Sequence, residues 1–288
     1  MALTTTVGGV WVLQALLGVE SMPVALRLKP FIPSVHEDLI VDTTSGPLPI
    51  AQTAEYQSLV QAGVIDAAGA IDEPVRDWMT VLGRPDRQVV LAIRRPAGES
   101  VDDGQGPAVD ERTVVVCRYR RWLAMAARDG NDMVIDAVGE TDDGAAQVDL
   151  TCQTLMPAFG WAEPADIDGF NIPADLMQST VSAAAPHGHD ALIAAVSRLG
   201  LQPQQAEVLA AAARLDESAM AVVAVIDHGI DQRVHPRVLT VADTEFGRIS
   251  ITTTVSADGK QWMSVWPTRP EALREDLAQL LSVPRMAA

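Results

Sequence analysis

Cysteine, lysine and long apolar runs are scarce in this sequence, and each shortage excludes a class of protein. The 288 residues include two cysteines, Cys117 and Cys152, which are too few for a disulfide framework or for a zinc site made mainly of thiolates. Lysine is found only at Lys29 and Lys260. The longest uninterrupted apolar run, Ala219–Ile226, is far shorter than the roughly 20 residues of a membrane-spanning helix. These shortages favour a soluble protein of a reducing compartment.

Basic charge is scarce as a whole. Lysine and arginine number 21 against 38 acidic residues, which gives a formal net charge of −17. A nucleic-acid-binding protein needs a basic face to displace counterions from phosphates, and anionic membranes attract basic segments. We therefore expect neither nucleic acid nor membrane as a partner. The apolar stretch Val10–Val19 has no lysine or arginine before it, so it lacks the positive flank of a signal peptide, and cytoplasmic localisation is expected.

The residues that are present suit a packed globular fold. Hydrophobic residues make up 48% and charged residues 20%, which is ordinary for globular proteins. Periodicity and breakers predict helices over residues 10–17, 53–61, 72–82, 144–156, 174–185, 190–199, 203–215 and 270–283. They predict strands over residues 24–29, 88–95, 113–118, 122–127, 133–138, 219–227, 237–242, 248–255 and 261–266. Because runs of strands alternate with runs of helices, the pattern predicts an α+β fold with antiparallel strands.

Turn residues separate these elements. Thr4–Thr6, followed by two glycines, predicts a short strand or a lead-in to the first helix. Asp129–Asn131 is typical of a tight hairpin, because glycine and asparagine tolerate a positive φ angle. The segment Pro96–Glu111 contains glycines, prolines and five acidic residues, so we expect a long exposed loop there. Residues 33–52 are predicted to be irregular, and residues 157–173, broken by proline and glycine, are predicted to connect two halves of similar make-up.

Motifs for catalysis and cofactor binding are missing. The sequence contains no G-x-G-x-x-G after a strand, no P-loop and no G-x-S-x-G nucleophile elbow. The candidate for a metal site is the group His187, His189 and Asp190, which could begin a zinc site. The alternative interpretation is that His189 or Asp190 caps the helix that begins there. We expect no catalytic residue, no metal and no cofactor, and we expect Cys117 to be a small core residue.

Five blocks of sequence occur in the order and spacing of a known family. The blocks are Thr4–Leu17, Ala70–Asp72 with Trp78, Leu82–Asp86, Trp122–Ile135, and Phe246–Ile249 followed by Gln261–Trp262 and Trp266–Pro267. Together they resemble the EspG family, the ESX secretion-associated proteins of actinobacterial type VII secretion systems. The resemblance spans nearly the whole chain.

The resemblance implies both a fold and a function. The implied fold is a single domain over residues 1–288, with an N-terminal subdomain over 1–156 and a C-terminal subdomain over 157–288. Its central antiparallel sheet is flanked by helical subdomains in a pseudo-twofold arrangement. The implied function is that of a cytosolic, non-enzymatic chaperone, which binds the helical tip of PPE in PE–PPE heterodimers, keeps that tip soluble and directs the cargo to its own ESX system. The expected state is a monomer or a weak homodimer.

A chaperone of this kind needs an apolar patch rimmed by polar groups, and two regions could supply one. The first is the loop Pro96–Glu111, and the second is the alanine-rich segment Pro203–Leu215 beside the strand Ser250–Val255. The candidate partner-binding residues are Val101, Asp102, Asp103, Gln204, Val208, Ala211, Ala212, Thr252 and Thr254. The competing interpretation is a solvated loop in the first region and a buried helix in the second.

Two other functions stay open at this point. One is a metal-dependent hydrolase that uses His187, His189 and Asp190. The other is a structural adaptor that self-associates through the edges of its sheet. Bound metal in the purified protein would support the first, and association at micromolar concentration would support the second.

Overall fold

The structure is a computed structural model, and it describes residues 2–29, 39–43, 46–97, 109–214 and 217–284. Twelve strands and eight α-helices lie within these residues. The helices are α1 (Val7–Leu17), α2 (Ala54–Gln61), α3 (Glu73–Gly83), α4 (Gly144–Phe159), α5 (Ala174–Ala184), α6 (His189–Ser197), α7 (Pro203–Ala212) and α8 (Pro270–Leu281). The strands are β1 (Leu3–Thr6), β2 (Ile40–Thr43), β3 (Gly46–Pro49), β4 (Arg87–Pro96), β5 (Val109–Tyr119), β6 (Trp122–Asp129), β7 (Asp132–Glu140), β8 (Phe170–Pro173), β9 (Ala219–His228), β10 (Gln232–Thr244), β11 (Gly247–Val255) and β12 (Gln261–Pro267).

Ten of the strands form one antiparallel sheet with two matching halves. Their order is β1-β7-β6-β5-β4-β9-β10-β11-β12-β8, and β2 pairs separately with β3. At the centre of the sheet β4 pairs with β9, where Leu91 lies opposite Val223. The strand order is the same in both directions from this pair. On one side it runs β4, β5, β6, β7, β1, and on the other side it runs β9, β10, β11, β12, β8. The predicted α+β class and its pseudo-twofold arrangement are confirmed.

The helices follow the same plan in both halves. In the chain, α1–α3 lie between β1 and β4, and α5–α7 lie between β8 and β9. A single helix then follows the last strand of each meander, α4 after β7 and α8 after β12. Apart from the β2–β3 hairpin of the first half, each half therefore consists of an edge strand, three helices, four consecutive strands and one further helix.

Threonine side chains cap the N-termini of two helices in the first half. The Thr6 Oγ1 accepts a hydrogen bond from the Gly9 N–H at 3.1 Å, and the Thr53 Oγ1 accepts one from the Tyr56 N–H at 3.3 Å. Such bonds satisfy backbone donors that have no partner inside the helix. Asp72 lies at the N-cap of α3, but its carboxylate makes no capping hydrogen bond.

Three apolar clusters hold the helices on the sheet. The first joins α1–α3 to one face of the N-terminal strands and includes Leu13 and Met79. The third joins α5–α7 to the same face of the C-terminal strands and includes Val196 and Ile249. The second joins α4 and α8 to the opposite face at the centre of the sheet and includes Leu155. The two helical groups therefore lie side by side on one face, with α4 and α8 behind them.

Alternation along the central strands assigns residues to these faces. In β4, Val89 and Leu91 pack against α4 and α8, whereas Val90 packs with the first cluster. In β10, Val241 belongs to the second cluster and Ala242 to the third. Residues two apart in a strand share a face. Because both faces are covered along much of these strands, their sequences are nearly continuously apolar.

The predicted strand over residues 24–29 is wrong. Val24–Leu26 forms a single 3-10 turn, and Arg27 adopts a φ angle of 49°. The Arg128 guanidinium donates to the carbonyl oxygens of Leu26 and Arg27 at 2.6 and 3.0 Å. Because this side chain occupies acceptors that a neighbouring strand would need, the short alternating pattern does not produce a strand.

Two elements are longer than predicted: α4 at its C-terminal end and β5 at its N-terminal end. α4 continues through Pro157 to Phe159, because the buried Phe159 side chain adds to the second cluster. β5 begins at Val109, where Asp110 lies opposite Arg95, so the predicted loop ends earlier than Glu111. Residues 98–108 of that loop lie outside the described residues.

Other differences concern the segments predicted to be irregular or helical. The segment 33–52 contains the hairpin of β2 and β3, and its residues 33–38 lie outside those described. The connecting segment 157–173 contains the edge strand β8. α7 ends at Ala212 rather than at residue 215. The tight hairpin is confirmed, and Gly130 there has a φ angle of 58°.

Candidate functional site

An apolar strip of the central sheet lies open between the two helical groups. On this face α3 packs over β5 and β6, and α7 packs over β10 at Ala242, which leaves β4, β9 and the preceding part of β10 between them. The registers place Ala92 opposite Val222, and Ala224 opposite Val238. We name this strip the central floor; its residues are Ala92, Met220, Val222, Ala224, Val238 and Thr240. The six side chains are half-buried and belong to none of the three clusters.

The two ends of the central floor are polar. At one end the exposed Arg94 lies opposite Met220. At the other end, beyond Ala224, the His228 Nε2 lies 3.2 Å from the Gln88 Oε1. An apolar area with a polar rim is the composition of a protein-binding patch.

Two arginine–aspartate pairs fix the helical layer behind the central floor. The Arg248 side chain is 1% exposed and donates to both carboxylate oxygens of Asp243 at 2.5 and 2.8 Å. The same guanidinium donates to two carbonyl oxygens at the C-terminal end of α4, at 3.0 and 2.9 Å. Arg87 pairs with Asp227 at 2.7 Å and donates to the Val283 carbonyl, just beyond α8, at 3.0 Å. Each of the two helices is therefore tied to the sheet at its last turn.

α7 is buried on nearly every side, which corrects part of the predicted binding site. Val208 is 2% exposed, and Ala211 and Ala212 are buried with it. They present no surface to a partner, because they fill the space between α7 and its neighbours. Gln204, near the start of α7, is exposed. An alanine-rich segment suits both a surface helix and a buried one, so its composition did not distinguish them.

Thr252 and Thr254 lie on the face of the sheet opposite to α7. In β11, Ile249 packs with the third cluster under α7, whereas the Ser250 Oγ donates to the Asp276 Oδ2 of α8 at 3.0 Å. The alternation of a strand places Thr252 and Thr254 on the same side as Ser250. The structure therefore does not bring these threonines together with Gln204.

The three predicted loop residues, Val101, Asp102 and Asp103, lie outside the described residues. The strands on either side of that loop are described, and the end of β4 lies beside the start of β9, where Arg94 is opposite Met220. Both ends of the loop therefore start at the Arg94 end of the central floor.

The central floor was missed from the sequence, although a signal for it exists. The run Ala219–Ile226 is apolar at every position, so both faces of this strand carry apolar side chains. Ala221, Val223 and Val225 of the run pack under α4 and α8. Finding the floor would have required knowing that no described helix covers Met220, Val222 and Ala224 on the other face, which depends on the spacing of α3 and α7.

A groove between α5 and α6 is a second concave apolar feature. Its volume is about 490 Å³, and four alanines line it together with Ser179, Thr180, His187, Arg198 and Leu199. It lies on the C-terminal helical group, where Ala184 and Ala195 of its lining also belong to the third cluster. Its small side chains leave room for an apolar chain from outside, but nothing polar in it is placed for catalysis.

The histidines proposed for a metal site lie at the start of α6. His187 ends a 3-10 turn and His189 is the first residue of the helix. Gly188 occupies the N-cap position and no side chain caps it, so the capping interpretation is wrong as well. Within the described residues, no group of three histidine, cysteine or acidic side chains is arranged to hold a metal ion. The hydrolase alternative gains no support.

The two cysteines and His235 have pKa values that their surroundings shift. Burial raises the pKa of the Cys117 thiol and of the Cys152 thiol, and Cys117 is a core residue as predicted. Burial, followed by the nearby Arg237 charge, lowers the pKa of His235. Along the described segments, every helix is too short or too polar to span a bilayer.

Fold and site together define the class of this protein. It is an α+β protein of two matching halves, with one sheet whose apolar face is left open between two helical groups. The chain belongs to the EspG family, whose family model matches residues 6–279.

Relatives with established names agree with this membership. The chain is 29% identical over 260 residues to the ESX-2 secretion-associated protein EspG2 of Mycobacterium tuberculosis (strain ATCC 25618 / H37Rv), covering 88% of this chain and 85% of the relative. It is 25% identical over 293 aligned residues to the ESX-5 secretion-associated protein EspG5 of the same strain, covering 97% and 92%.

A solved structure shares the fold. It is that of the M. tuberculosis type VII secretion system chaperone EspG5 in complex with a PE25-PPE41 dimer. The two chains superimpose with a TM-score of 0.74 at 23% identity, over 98% of this chain and 96% of the other.

Proposed function

We propose that this protein is a cytoplasmic chaperone of a type VII (ESX) secretion system that binds a PE–PPE heterodimer through the helical tip of PPE. Membership of the EspG family supports this proposal, as does the fold shared with EspG5, which was solved with a PE25-PPE41 dimer. The observation that carries it is the central floor, an apolar surface that no described helix of the chain covers. Binding there would shield the apolar tip of the cargo, keep it soluble and direct it to its own ESX system.

The physical properties of the central floor suit an apolar helical tip. Its side chains are mostly small or β-branched, and the sheet beneath them is held by α4 and α8. Little conformational freedom is therefore lost on binding. Burial of apolar area supplies the affinity, at about 25 cal/mol per Å² before the costs of association. Arg94 at the end of the floor adds a charge by which cargoes can be distinguished.

One region flanks the central floor in this proposal, and a second contact is proposed away from it. The flanking region is the loop that carries Val101, Asp102 and Asp103, since both of its ends start at the Arg94 end of the floor. The separate contact is Gln204 at the exposed start of α7, where Gln205 donates to the Asp168 carbonyl oxygen at 3.0 Å. Thr252 and Thr254 are left out of the surface, because they lie on the other face of the sheet.

We further propose that the protein works by binding alone and carries out no catalysis. In this scheme residues 1–156 and 157–288 are the two subdomains of one domain, and the division falls inside α4. The matching strand order of the two halves supports that division. The central floor lies where the subdomains meet, at β4 and β9.

The proposal is tested by co-purification with a PE–PPE pair from the same genome. The wild-type chain is expected to form a stoichiometric complex, and Val222→Lys is expected to weaken it by at least tenfold, since an unpaired charge would be buried at the interface. Affinity is measured by isothermal titration, and thermal unfolding of each variant checks that the fold is retained.

Thr254→Lys is the matched control, because it places the same charge on the opposite face. It is expected to bind PE–PPE within about twofold of wild type. The absence of a complex with every PE–PPE pair tested would refute the function. Equal losses from both variants, or loss from Thr254→Lys alone, would show that the central floor is not the binding surface.

A further inference from the structure

Three large aromatic side chains are exposed near one another in the C-terminal half. Trp161 is 75% exposed, Trp266 50% and Phe246 42%. A parallel bridge joins Pro164 to Arg248, so the residues just before each, including Trp161 and Phe246, run side by side. Trp266 packs closely on Gly169 of the same connecting segment. We name Trp161, Phe246 and Trp266 the aromatic surface.

Two members of the aromatic surface, Trp161 and Trp266, lie on the opposite side of the sheet from the central floor. Trp161 follows the end of α4, and Trp266 lies opposite Ser250 in the register of β11 and β12. The Ser250 side chain contacts α8, so Trp266 also points to the α4 and α8 side. A partner on this surface would leave the central floor accessible.

Carboxylates surround the aromatic surface. The exposed residues Glu163, Asp166, Asp168 and Glu245 lie on the two segments that carry Trp161 and Phe246. Salt bridges elsewhere in the described chain engage none of these four. Three arginines lie near these segments: Arg269 is the N-cap residue of α8, Arg95 lies beside Gly160, and the buried Arg248 is paired with Asp243. The four carboxylates outnumber the charges of Arg269 and Arg95 and leave the local charge negative.

The matching hairpin of the N-terminal half carries the opposite charge. The hairpin between β5 and β6 carries Arg120 and Arg121 where that between β10 and β11 carries Glu245 and Phe246. Each of these arginines lies 5.3 Å from the ring of its own neighbour, Tyr119 or Trp122. The acidic character of the second hairpin is therefore not a consequence of the shared fold.

We propose that the aromatic surface is a second docking site, for a basic protein segment with an apolar or aromatic anchor. The exposed rings supply contact area of the kind that dominates protein interfaces. The carboxylates attract lysine and arginine, and a cation over an exposed tryptophan face gains further energy. A second copy of the chain is a poor fit, because two acidic rims of a protein of net charge −17 would repel each other. An anionic membrane is excluded by the same charge.

The test uses a short labelled peptide of leucine, tryptophan and lysine, with binding followed by fluorescence anisotropy at physiological salt. Two matched peptides carry glutamate for lysine, or serine for leucine and tryptophan. Wild-type protein is expected to prefer the first peptide to both others. The double variant Trp161→Ala, Phe246→Ala is expected to lose at least tenfold in affinity for it.

Trp122→Ala is the matched control, since Trp122 is 44% exposed on the basic hairpin of the other half. It is expected to bind the peptide within about twofold of wild type. Unchanged binding by the double variant, equal loss from Trp122→Ala, or equal binding of the serine peptide would overturn the proposal. So would a wild-type dimer, seen by sedimentation, that the double variant abolishes. Binding of PE–PPE to the double variant is measured in parallel and is expected to be unchanged, which separates this test from that of the central floor.

Discussion

At the scale of single residues, arginine makes the contacts that position the helices behind the sheet. Arg248 and Arg87 lie in different halves, yet each pairs with one aspartate and donates to carbonyl groups at the end of a helix. The planar guanidinium has enough donors to serve both acceptors at once, which lysine cannot do. In a chain with almost no lysine, these two arginines have specific structural roles.

Replacing Arg248 by methionine is expected to destabilise the protein by about 3 kcal/mol. The change leaves Asp243 without its partner and frees the last carbonyl groups of α4, and breaking a buried pair is costly. Urea unfolding followed by circular dichroism measures the loss. Arg112→Met is the control, because Arg112 and Asp129 are both more than half exposed, and it is expected to cost under about 1 kcal/mol. Similar losses from the two variants would contradict the role given to Arg248.

Asp276 is the residue from which we expect a pH dependence. Burial raises its pKa, while the hydrogen bond from Ser250 opposes the shift. A carboxyl whose pKa is higher in the folded than in the unfolded protein binds protons more tightly when folded. Its charge therefore lowers stability at neutral pH, and stability is regained as the pH falls through the folded-state pKa.

Asp276→Asn is expected to be more stable than wild type at neutral pH, since asparagine keeps an acceptor for Ser250 without the buried charge. The difference should shrink as the pH falls and Asp276 becomes protonated. Urea unfolding of both proteins at a series of pH values measures it. A variant less stable than wild type at neutral pH would show that the charge is stabilising where it lies.

At the scale of elements, α7 shows how one helix can separate two functions. Its buried side packs over the sheet, whereas Gln204 at its start is exposed beside Gln205, which donates to the Asp168 carbonyl oxygen of the connecting segment. Val208, Ala211 and Ala212 are therefore expected to affect stability before they affect binding.

Val208→Ala is expected to cost about 1–3 kcal/mol, because it removes buried methyl groups and leaves a cavity. Gln204→Ala is expected to stay within about 0.5 kcal/mol of wild type, as for other exposed positions. Thermal and urea unfolding measure both. If Val208→Ala left stability unchanged while weakening PE–PPE binding, the placement of this side chain in the core would be wrong.

At the scale of the whole molecule, the two halves share one sheet and one central cluster. β4 pairs with β9 along eight residue pairs, and the second cluster takes side chains from both α4 and α8. Neither half can bury its side of this cluster alone. The two halves therefore repeat the same arrangement of strands and helices, but the stability of each depends on the other.

The full chain is expected to unfold in a single transition, with tryptophan fluorescence and far-ultraviolet circular dichroism giving coincident curves. Residues 1–156 and 157–288, expressed separately, are expected to be unstable and to associate when mixed. Limited proteolysis and circular dichroism of each fragment measure this. Two separated transitions in the full chain, or a stably folded single fragment, would show that the halves are independent.

The sequence by itself determined most of the local structure and the family. Caps, hairpin turns such as the one at Gly130, and the leucine stripe of α8 depend on neighbours in the chain, so their patterns can be read from adjacent residues. The predicted strand at residues 24–29 was wrong because a distant side chain, Arg128, binds its carbonyl groups.

The tertiary structure alone decided which apolar residues are covered and which stay open. Val208 and Val222 are equally apolar in the sequence, but a helix packed on all sides buries the first, while the gap between α3 and α7 leaves the second on the central floor. Likewise, Thr252 and Thr254 lie on one face of the sheet, whereas α7 with Gln204 lies on the other. Exposure depends on the spacing of elements far apart in the chain, and no pattern of neighbouring residues encodes that spacing.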